Sequence, residues 1–207
     1  MNRMKLNFIF LLLFLTFSAE AKEFFVALNG NDKFQGTRNH PFQTIFTASE
    51  MAMPGDTITI LSGEYKLPQQ FRPVRSGLPG KWILYRGAPG ETVVFDGSQI
   101  KKIFQNDDSV QFSRQTAGLF QIEKVNYLRF ENIQVRNSDA AGFIVRGPEC
   151  KKIELIGCKV HQTHNSGIGL WYCDSVLVKN CEITAANDND PKYYLFNFRK
   201  LCLPCLQ

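Results

Sequence analysis

The chain has 207 residues, and 44% of them are hydrophobic, which is enough for one domain with a sizeable core. Its formal net charge is +5, but the basic residues are scattered without a run of five, so nucleic acid is not the predicted partner. This mild positive excess suits either an acidic polymer outside the cell or the ordinary charge that keeps a protein in solution.

Residues 1–21 have the pattern of a secretory signal peptide. Arg3 and Lys5 precede an apolar run at 6–17, and an A-x-A cleavage pattern follows at 19–21. The apolar run is too short to cross a bilayer, and no other segment of the sequence is long and apolar enough. We therefore expect an exported protein, periplasmic, on the cell surface or extracellular, without a membrane span.

Residues 22–66 are predicted to form an N-terminal cap and the first strands. A solenoid needs its open end covered, and a short helix that places Ile45, Ala48 and Ala52 over the first coil would cover it. The predicted elements of this region, in chain order, are a strand at 24–28, a helix at about 42–53 and a strand at 57–61.

Internal repeats dominate residues 67–190. Within each repeat, apolar and polar residues alternate over short runs, which is the two-residue period of strands. Three short strands in each repeat make a coil that stacks on the previous coil by parallel pairing. We therefore predict an all-β protein, a right-handed parallel β-helix (solenoid) with a short N-terminal capping helix. The aligned apolar columns are Phe120/Phe143/Ile168, Ile122/Val145/Leu170, Leu128/Ile153/Val176, Phe130/Leu155/Val178, Ile133/Cys158/Cys181 and Val135/Val160/Ile183.

Asparagine and glycine mark one bend of the predicted coil. Asn132, Gly157 and Asn180 share the position just before the third strand, where a sharp turn requires a left-handed backbone. After the last repeat, residues 191–207 lack the strand, turn and strand that should follow. We expect an irregular or truncated C-terminal end there.

Four cysteines also fall into columns. Cys158 and Cys181 share one inward position, and Cys150 and Cys173 share another, so each pair is expected to stack at the spacing of one coil. That spacing is within reach of a disulfide in an exported protein, while small buried thiols are the alternative. The sequence leaves the state of these four thiols open.

Three segments of the N-terminal half have distinctive sequences: GTRNHPFQTI at 36–45, PGDTITILSGEY at 54–65 and SGLPGKWILYRGAPGETVVFDG at 76–97. Together they resemble the opening of pectate-lyase-like right-handed β-helix proteins. The resemblance implies the fold, but lyases, hydrolases and proteins without known activity all share such openings. It also implies that the substrate groove runs along the first sheet of the coil, beside the loops that enter it.

The outward residues of that first sheet give a candidate binding column. Glu123, Arg146 and Trp171 fall on consecutive coils, about 5 Å apart, and offer an acid, a cation and an aromatic plate. A sugar ring stacks on the indole, and a uronate carboxylate pairs with the guanidinium. The alternative is a surface ion pair beside an aromatic side chain. The other outward positions are Gln121, Ile144 and Gly169, and Gly169 is expected to leave a floor for the sugar chain.

The predicted function is binding or cleavage of an acidic polysaccharide or oligosaccharide by a monomer, with β-elimination at a uronate as the first choice. That reaction needs a group that neutralises the carboxylate, such as Ca²⁺ or a basic side chain, and a base that removes the neighbouring proton. Arg146, His161 and Lys102 are the candidate bases. The predicted site residues are Arg146, His161 and Glu123 for catalysis, Trp171, Lys102 and His164 for substrate binding, and Asp139, Asp188 and Asp190 for Ca²⁺.

Two other functions stay open at this point. A glycoside hydrolase would use paired carboxylates, for which Glu123 with Asp139, or Asp107 with Asp108, are candidates. A noncatalytic β-helix would bind carbohydrate or serve as a surface scaffold. Calcium ligands and a basic residue in the groove favour an enzyme, whereas a groove with only Trp171 and neutral amides favours a binding protein.

Overall fold

A computed structural model describes residues 20–100 and 117–186 of the chain, and these form a right-handed parallel β-helix. In this part of the chain, no helix is long and apolar enough to cross a membrane. The elements are β1 (Glu23–Val26), α1 (Ile45–Met51), β2 (Thr57–Ile60), β3 (Gly63–Lys66), β4 (Ile83–Gly87), β5 (Val93–Asp96), β6 (Gly118–Glu123), β7 (Leu128–Glu131), β8 (Gln134–Ser138), β9 (Ala141–Arg146), β10 (Lys151–Ile156), β11 (Lys159–Thr163), β12 (Ile168–Trp171), β13 (Asp174–Lys179) and β14 (Glu182–Ala186).

The strands form three parallel sheets, and from β6 onwards each coil contributes one strand to every sheet. The six-stranded sheet has the order β1-β2-β4-β7-β10-β13, the five-stranded sheet β14-β11-β8-β5-β3, and the three-stranded sheet β12-β9-β6. The register confirms the apolar columns that the sequence predicts: Phe143, for example, pairs with both Phe120 and Ile168, and Val160 with both Val135 and Ile183.

A ladder of aromatic side chains fills the interior. Tyr85 stacks on Phe130 with ring centroids 4.9 Å apart, and its buried hydroxyl bonds to the Ser49 hydroxyl at 2.8 Å. Phe120 contacts Phe143 one coil further on, at 5.0 Å. Each buried side chain of this size contributes about 1.5–3 kcal/mol through the hydrophobic effect. The core therefore fixes the register of the coils, and with it the positions of the outward side chains.

The bend before the five-stranded sheet is the predicted one. Asn132, Gly157 and Asn180 have φ values of 54°, 62° and 54°, in the left-handed region. A Cβ atom at position 157 would lie 2.5 Å from Oδ1 of Asn132, so a side chain at that position would collide with the neighbouring coil.

All four described cysteines, at 150, 158, 173 and 181, are free thiols.

The capping helix is shorter than the predicted span of 42–53. Thr44 is its N-cap, with an extended backbone and a side chain that accepts a hydrogen bond from the Thr47 amide. Phe42 lies outside the helix because it forms a parallel bridge with Val26. The predicted covering role is confirmed, because Ile45 is buried over the first coil together with Ala48 and Ala52.

Candidate functional site

The candidate site lies at the C-terminal end of the three-stranded sheet. Glu123 pairs with Arg146, and Arg146 pairs with Trp171, so these residues stand in one column on three consecutive coils, as predicted. Neighbouring strands of a sheet are about 4.8 Å apart. Glu123 ends β6, Arg146 ends β9 and Trp171 ends β12, so the column stands where the chain leaves the sheet.

Two arginines share the carboxylate of Glu123. Arg146 donates from Nε and Nη2 to Oε2, at 3.1 and 2.6 Å, while Arg72 donates from Nη1 to Oε1. The side-chain amide of Gln121 also donates to Oε2 of Glu123, at 3.3 Å. We call Arg72, Glu123 and Arg146 the arginine–glutamate cluster. The formal charges of these three side chains sum to +1.

Sequence reasoning missed Arg72. The segment before it joins the edge of the three-stranded sheet through two backbone hydrogen bonds. The Phe71 backbone N–H donates to the Leu119 carbonyl at 2.8 Å, and the Gln121 backbone N–H donates to the Phe71 carbonyl at 2.9 Å. Phe71 is fully buried, and this anchor brings the following arginine to Glu123. The sequence signal that could have located Arg72 is Phe71, a single phenylalanine in a polar stretch. Alignment of the repeats alone does not relate this phenylalanine to the later coils.

The environment of Glu123 keeps its carboxylate ionised. Partial burial alone would raise its pKa, but hydrogen bonds and positive charge from Arg146, with further contributions from Gln121 and Arg72, lower the pKa below its ordinary value. A carboxylate with a depressed pKa is a weak proton acceptor. The geometry therefore suits Glu123 to holding the arginines in place.

Two aromatic side chains complete this end of the sheet. Trp171 is half-buried, and Tyr172, which sequence reasoning missed, is 86% exposed. Tyr172 has a φ of 52°, in line with Lys124 and Gly147, which also have positive φ at the equivalent place on the two preceding coils. The left-handed turn after β12 thus leaves Tyr172 exposed to solvent directly after Trp171.

The rest of the three-stranded sheet departs from the expected open groove. Gln121 and Ile144 were predicted to face outward as accessible residues, but they are only 1% and 0% exposed. The floor expected at Gly169 is also occupied, since a Cβ atom there would lie 2.5 Å from Cδ1 of Ile144. Within the described residues, the accessible part of this sheet is therefore its C-terminal end.

The other predicted site residues lie elsewhere. His161 is in β11 of the five-stranded sheet, where its Nδ1 is 2.7 Å from the Thr184 hydroxyl. Asp139 and His164 lie at the corner between the five- and three-stranded sheets, and the His164 amide donates to the Ser138 carbonyl at 2.8 Å. Lys102, Asp188 and Asp190 lie outside the described residues.

The separation of Asp139 from Glu123 bears on glycoside hydrolysis. Asp139 precedes β9, whose first residue Ala141 pairs with Gly118, and Glu123 lies five residues beyond Gly118. At about 3.3 Å per residue, Glu123 lies roughly 16 Å along the sheet from the level at which β9 begins, so Asp139 and Glu123 stand at opposite ends of the strands rather than as a facing pair of carboxylates. The alternative pair, Asp107 with Asp108, lies outside the described residues.

Metal ligands do not cluster in the described part of the chain. Across 20–100 and 117–186, no three His, Cys, Asp or Glu side chains come together in a way that would hold a metal ion. Asp139 is the one member of the predicted Ca²⁺ set that falls within these ranges.

Comparison with known proteins reveals partial relatives. The chain is 37% identical over 76 residues to the uncharacterized protein YwoF of Bacillus subtilis, and 26% identical over 117 residues to the pectate lyase PEL9 of Emericella nidulans. These matches cover 37% and 56% of this chain but only 16% and 28% of the relatives. The chain thus spans less than a third of the length of the curated relatives it matches.

Solved structures support the fold. The GH136 lacto-N-biosidase from Eubacterium ramulus superposes with a TM-score of 0.59 at 14% sequence identity, over 79% of this chain and 34% of that one. At this identity the likeness concerns the β-helix alone. The model of the family described as Pel9A-like, right-handed β-helix region, matches residues 24–194, and the chain therefore belongs to that family.

Proposed function

We propose that this protein is exported, binds an acidic polysaccharide or oligosaccharide at the arginine–glutamate cluster, and acts as a lyase by β-elimination at a uronate. The observation that carries the proposal is the sharing of one carboxylate by Arg72 and Arg146, because these three side chains have a summed formal charge of +1 and stand at the same end of the sheet as the half-buried Trp171 and the exposed Tyr172. A uronate offers the matching groups, a carboxylate for a guanidinium and a sugar ring for an aromatic face. The pectate lyase named among the relatives supports the reaction class.

The reaction defines what the site must supply. A base takes the proton from the carbon next to the uronate carboxylate, that electron pair forms a carbon–carbon double bond, and the glycosidic oxygen leaves and takes up a proton. Neutralising the carboxylate makes the proton more acidic and so speeds this step. Arg146 is suited to the neutralising role, because Glu123 orients its planar guanidinium through two hydrogen bonds.

The base and the metal ion remain proposals from the sequence. Lys102 is the candidate base for this cluster, since His161 lies on another sheet. Asp139, with Asp188 and Asp190, is the candidate set for Ca²⁺, a hard cation that binds oxygen ligands. Because Asp139 precedes β9 and Arg146 ends it, such an ion would neutralise a different uronate of the polymer from the one that Arg146 binds. If this set binds calcium, cleavage of a uronate polymer is lost in EDTA and restored by added Ca²⁺. Unchanged cleavage in EDTA would contradict the calcium proposal.

The central experiment incubates the full chain with a panel of uronate polymers and follows the absorbance of unsaturated products, with binding measured by calorimetry. We expect Arg146→Ala to weaken binding of acidic oligosaccharides by about 1–3 kcal/mol, the range for a hydrogen bond to a charged group. Arg86→Ala is the matched control, because Arg86 is also paired with a glutamate, Glu23, but on the six-stranded sheet. Equal binding by both variants and the parent would reject the cluster as the site.

Noncatalytic binding is the second candidate function. The observation that favours it is the pairing of Glu123 with two arginines, which makes this carboxylate a weak base. Acidic oligosaccharides would then bind and respond to Arg146→Ala, while no unsaturated product forms from any polymer of the panel. Formation of unsaturated product by the parent chain would reject this second candidate.

A further inference from the structure

The outer face of the five-stranded sheet contains a hollow of about 190 Å³ that the proposed function does not use. Its volume corresponds to roughly six waters at about 30 Å³ each, which is the scale of a single sugar ring. The hollow lies on β5, β8, β11 and β14, whereas the arginine–glutamate cluster lies on the three-stranded sheet. Its outward lining side chains are Val94, Gln134, Arg136, Lys159, His161, Glu182 and Thr184.

The hollow exists because two long cations lean away from each other. Arg136 reaches back toward earlier coils, where it binds Asp96 at 2.8 Å and Glu64 at 2.6 Å. Lys159 reaches forward to Glu182 on the next coil, at 3.1 Å. Gln134, which pairs with Val94 on one side and Lys159 on the other, is left between them.

The groups that face the hollow are suited to hydroxyls. The side-chain amide of Gln134 has no hydrogen-bond partner within the described residues, so two donor hydrogens and an acceptor oxygen are available. The His161 ring uses Nδ1 for Thr184 and leaves Nε2 for a ligand. Val94 supplies an apolar surface beside these groups. Apolar contact with a few directed polar groups is the usual composition of a small-molecule site.

The charges select the kind of sugar. Both cations that line the hollow are already paired, Arg136 with two carboxylates and Lys159 with one. A uronate would therefore meet no unbalanced positive charge here and would lie close to Glu182. A ligand with hydroxyls and no charge avoids this repulsion.

We propose that the hollow binds a neutral sugar unit, as a second carbohydrate site that is independent of the arginine–glutamate cluster. The ring would lie against Val94, and its hydroxyls would bond to the Gln134 amide and to Nε2 of His161. The proposal does not require that the protein cleave any polymer. It requires that neutral and acidic sugars bind at separate places.

Calorimetry of the full chain with neutral tetrasaccharides of galactose, xylose, mannose and glucose tests the proposal, with trigalacturonate as the acidic probe. At least one neutral tetrasaccharide should bind, and Gln134→Ala should weaken it by about fivefold to tenfold, the effect of one lost hydrogen bond. The matched control is Gln69→Ala, because Gln69 is an exposed glutamine away from the hollow. It should leave binding unchanged.

Crossed variants separate the two sites. Gln134→Ala should leave trigalacturonate binding as it is in the parent, and Arg146→Ala should leave binding of the neutral tetrasaccharide as it is. Failure of every neutral tetrasaccharide to bind at millimolar concentration would overturn the proposal. So would parent-like neutral binding by Gln134→Ala, or an equal loss of both ligands in that variant. Loss of acidic binding alone in Arg146→Ala bears on the proposed function and leaves the hollow unaffected.

Discussion

The two outer faces of the coil use the same residue types in opposite proportions. At the end of the three-stranded sheet one carboxylate, Glu123, is shared by two guanidiniums, whereas on the five-stranded sheet one guanidinium, Arg136, is shared by two carboxylates. In both places the spacing of the coils lets a long side chain reach its partners on neighbouring strands. The sign of the shared residue therefore decides the sign of the excess formal charge, which is +1 for Arg72, Glu123 and Arg146 and −1 for Arg136 with its two carboxylates.

The largest expected effect is loss of the whole fold, and with it both binding faces, after a substitution in the core. Leu155 is fully buried and pairs with Phe130 and Val178, so Leu155→Asp would place an unpaired charge inside the coil and should prevent folding. Lys179→Asp, on the exposed side of the next strand, should be tolerated. Circular dichroism and thermal melting distinguish the two variants. Equal solubility and melting would show that the register is wrong.

The second prediction tests the five-stranded sheet. The side chain of Asp96 is 3% exposed, and although burial alone would raise its pKa, hydrogen bonds from Ser98, Arg136 and Asn137 lower it to about 2. Arg136→Ala removes one of these partners and should lower the free energy of unfolding by about 1–3 kcal/mol at pH 7.

The pH dependence of that loss has a definite sign. Because the folded pKa of Asp96 lies below its ordinary value of 3.8, the ionised group stabilises the fold above about pH 4, and this stabilisation disappears as the pH falls toward 2. Urea unfolding at several pH values should therefore show the parent and Arg136→Ala converging in acid. A constant difference between them down to pH 2 would show that the effect comes from packing.

The third prediction concerns removal of the negative charge of Glu123 at the three-stranded sheet. Glu123→Gln leaves Arg72 and Arg146 without their shared carboxylate, so binding of trigalacturonate should tighten several-fold. Stability should change by no more than about 1 kcal/mol, because both arginines are substantially exposed. Calorimetry and melting measure the two effects. Weaker binding would mean that Glu123 acts chiefly by orienting Arg146.

The smallest expected effect is a difference between the two faces in how strongly ligand binding depends on salt concentration. Raising the salt from 50 to 500 mM should weaken trigalacturonate binding at the arginine–glutamate cluster, because an exposed charge is screened. Binding of a neutral tetrasaccharide in the hollow should hardly change. Similar salt dependence for both ligands would contradict the assignment of charged and neutral sugars to separate faces.

The fold was predictable from the sequence because each apolar column is a local, repeated signal. The alternation around Phe120, Phe143 and Ile168 specifies strands, their length and their register without any distant contact. The column of Glu123, Arg146 and Trp171 followed from that register. Arg72 did not follow from it, because its place depends on the backbone pairing of Phe71 with β6, which lies outside the repeats.

Accessibility was the other quantity that alternation left undetermined. The two-residue alternation of a strand indicates which face a residue occupies, so Ile144 was correctly assigned to the opposite face from Phe143 and Val145. It does not indicate whether that face is exposed to water. The hollow escaped prediction for a related reason. It depends on the directions that Arg136 and Lys159 take toward their partners, and several rotamers of each side chain satisfy the same sequence.

The contact of Ile144 with its neighbours has a consequence for engineering. A Cβ atom at Gly118 would lie 3.0 Å from Ile144 Cγ1, and one at Gly169 would lie 2.5 Å from Cδ1, so a large side chain occupies the room left by a glycine on the coil before and the coil after. The packing unit of this face is therefore three coils tall, although the sequence repeats once per coil. Ile144 pairs with Gln121 on the coil before and with Gly169 on the coil after, so a copied consensus coil would place one residue type where this chain has glutamine, isoleucine and glycine, and an isoleucine at position 169 would collide with Ile144. Designed extensions of this protein should copy coils in threes.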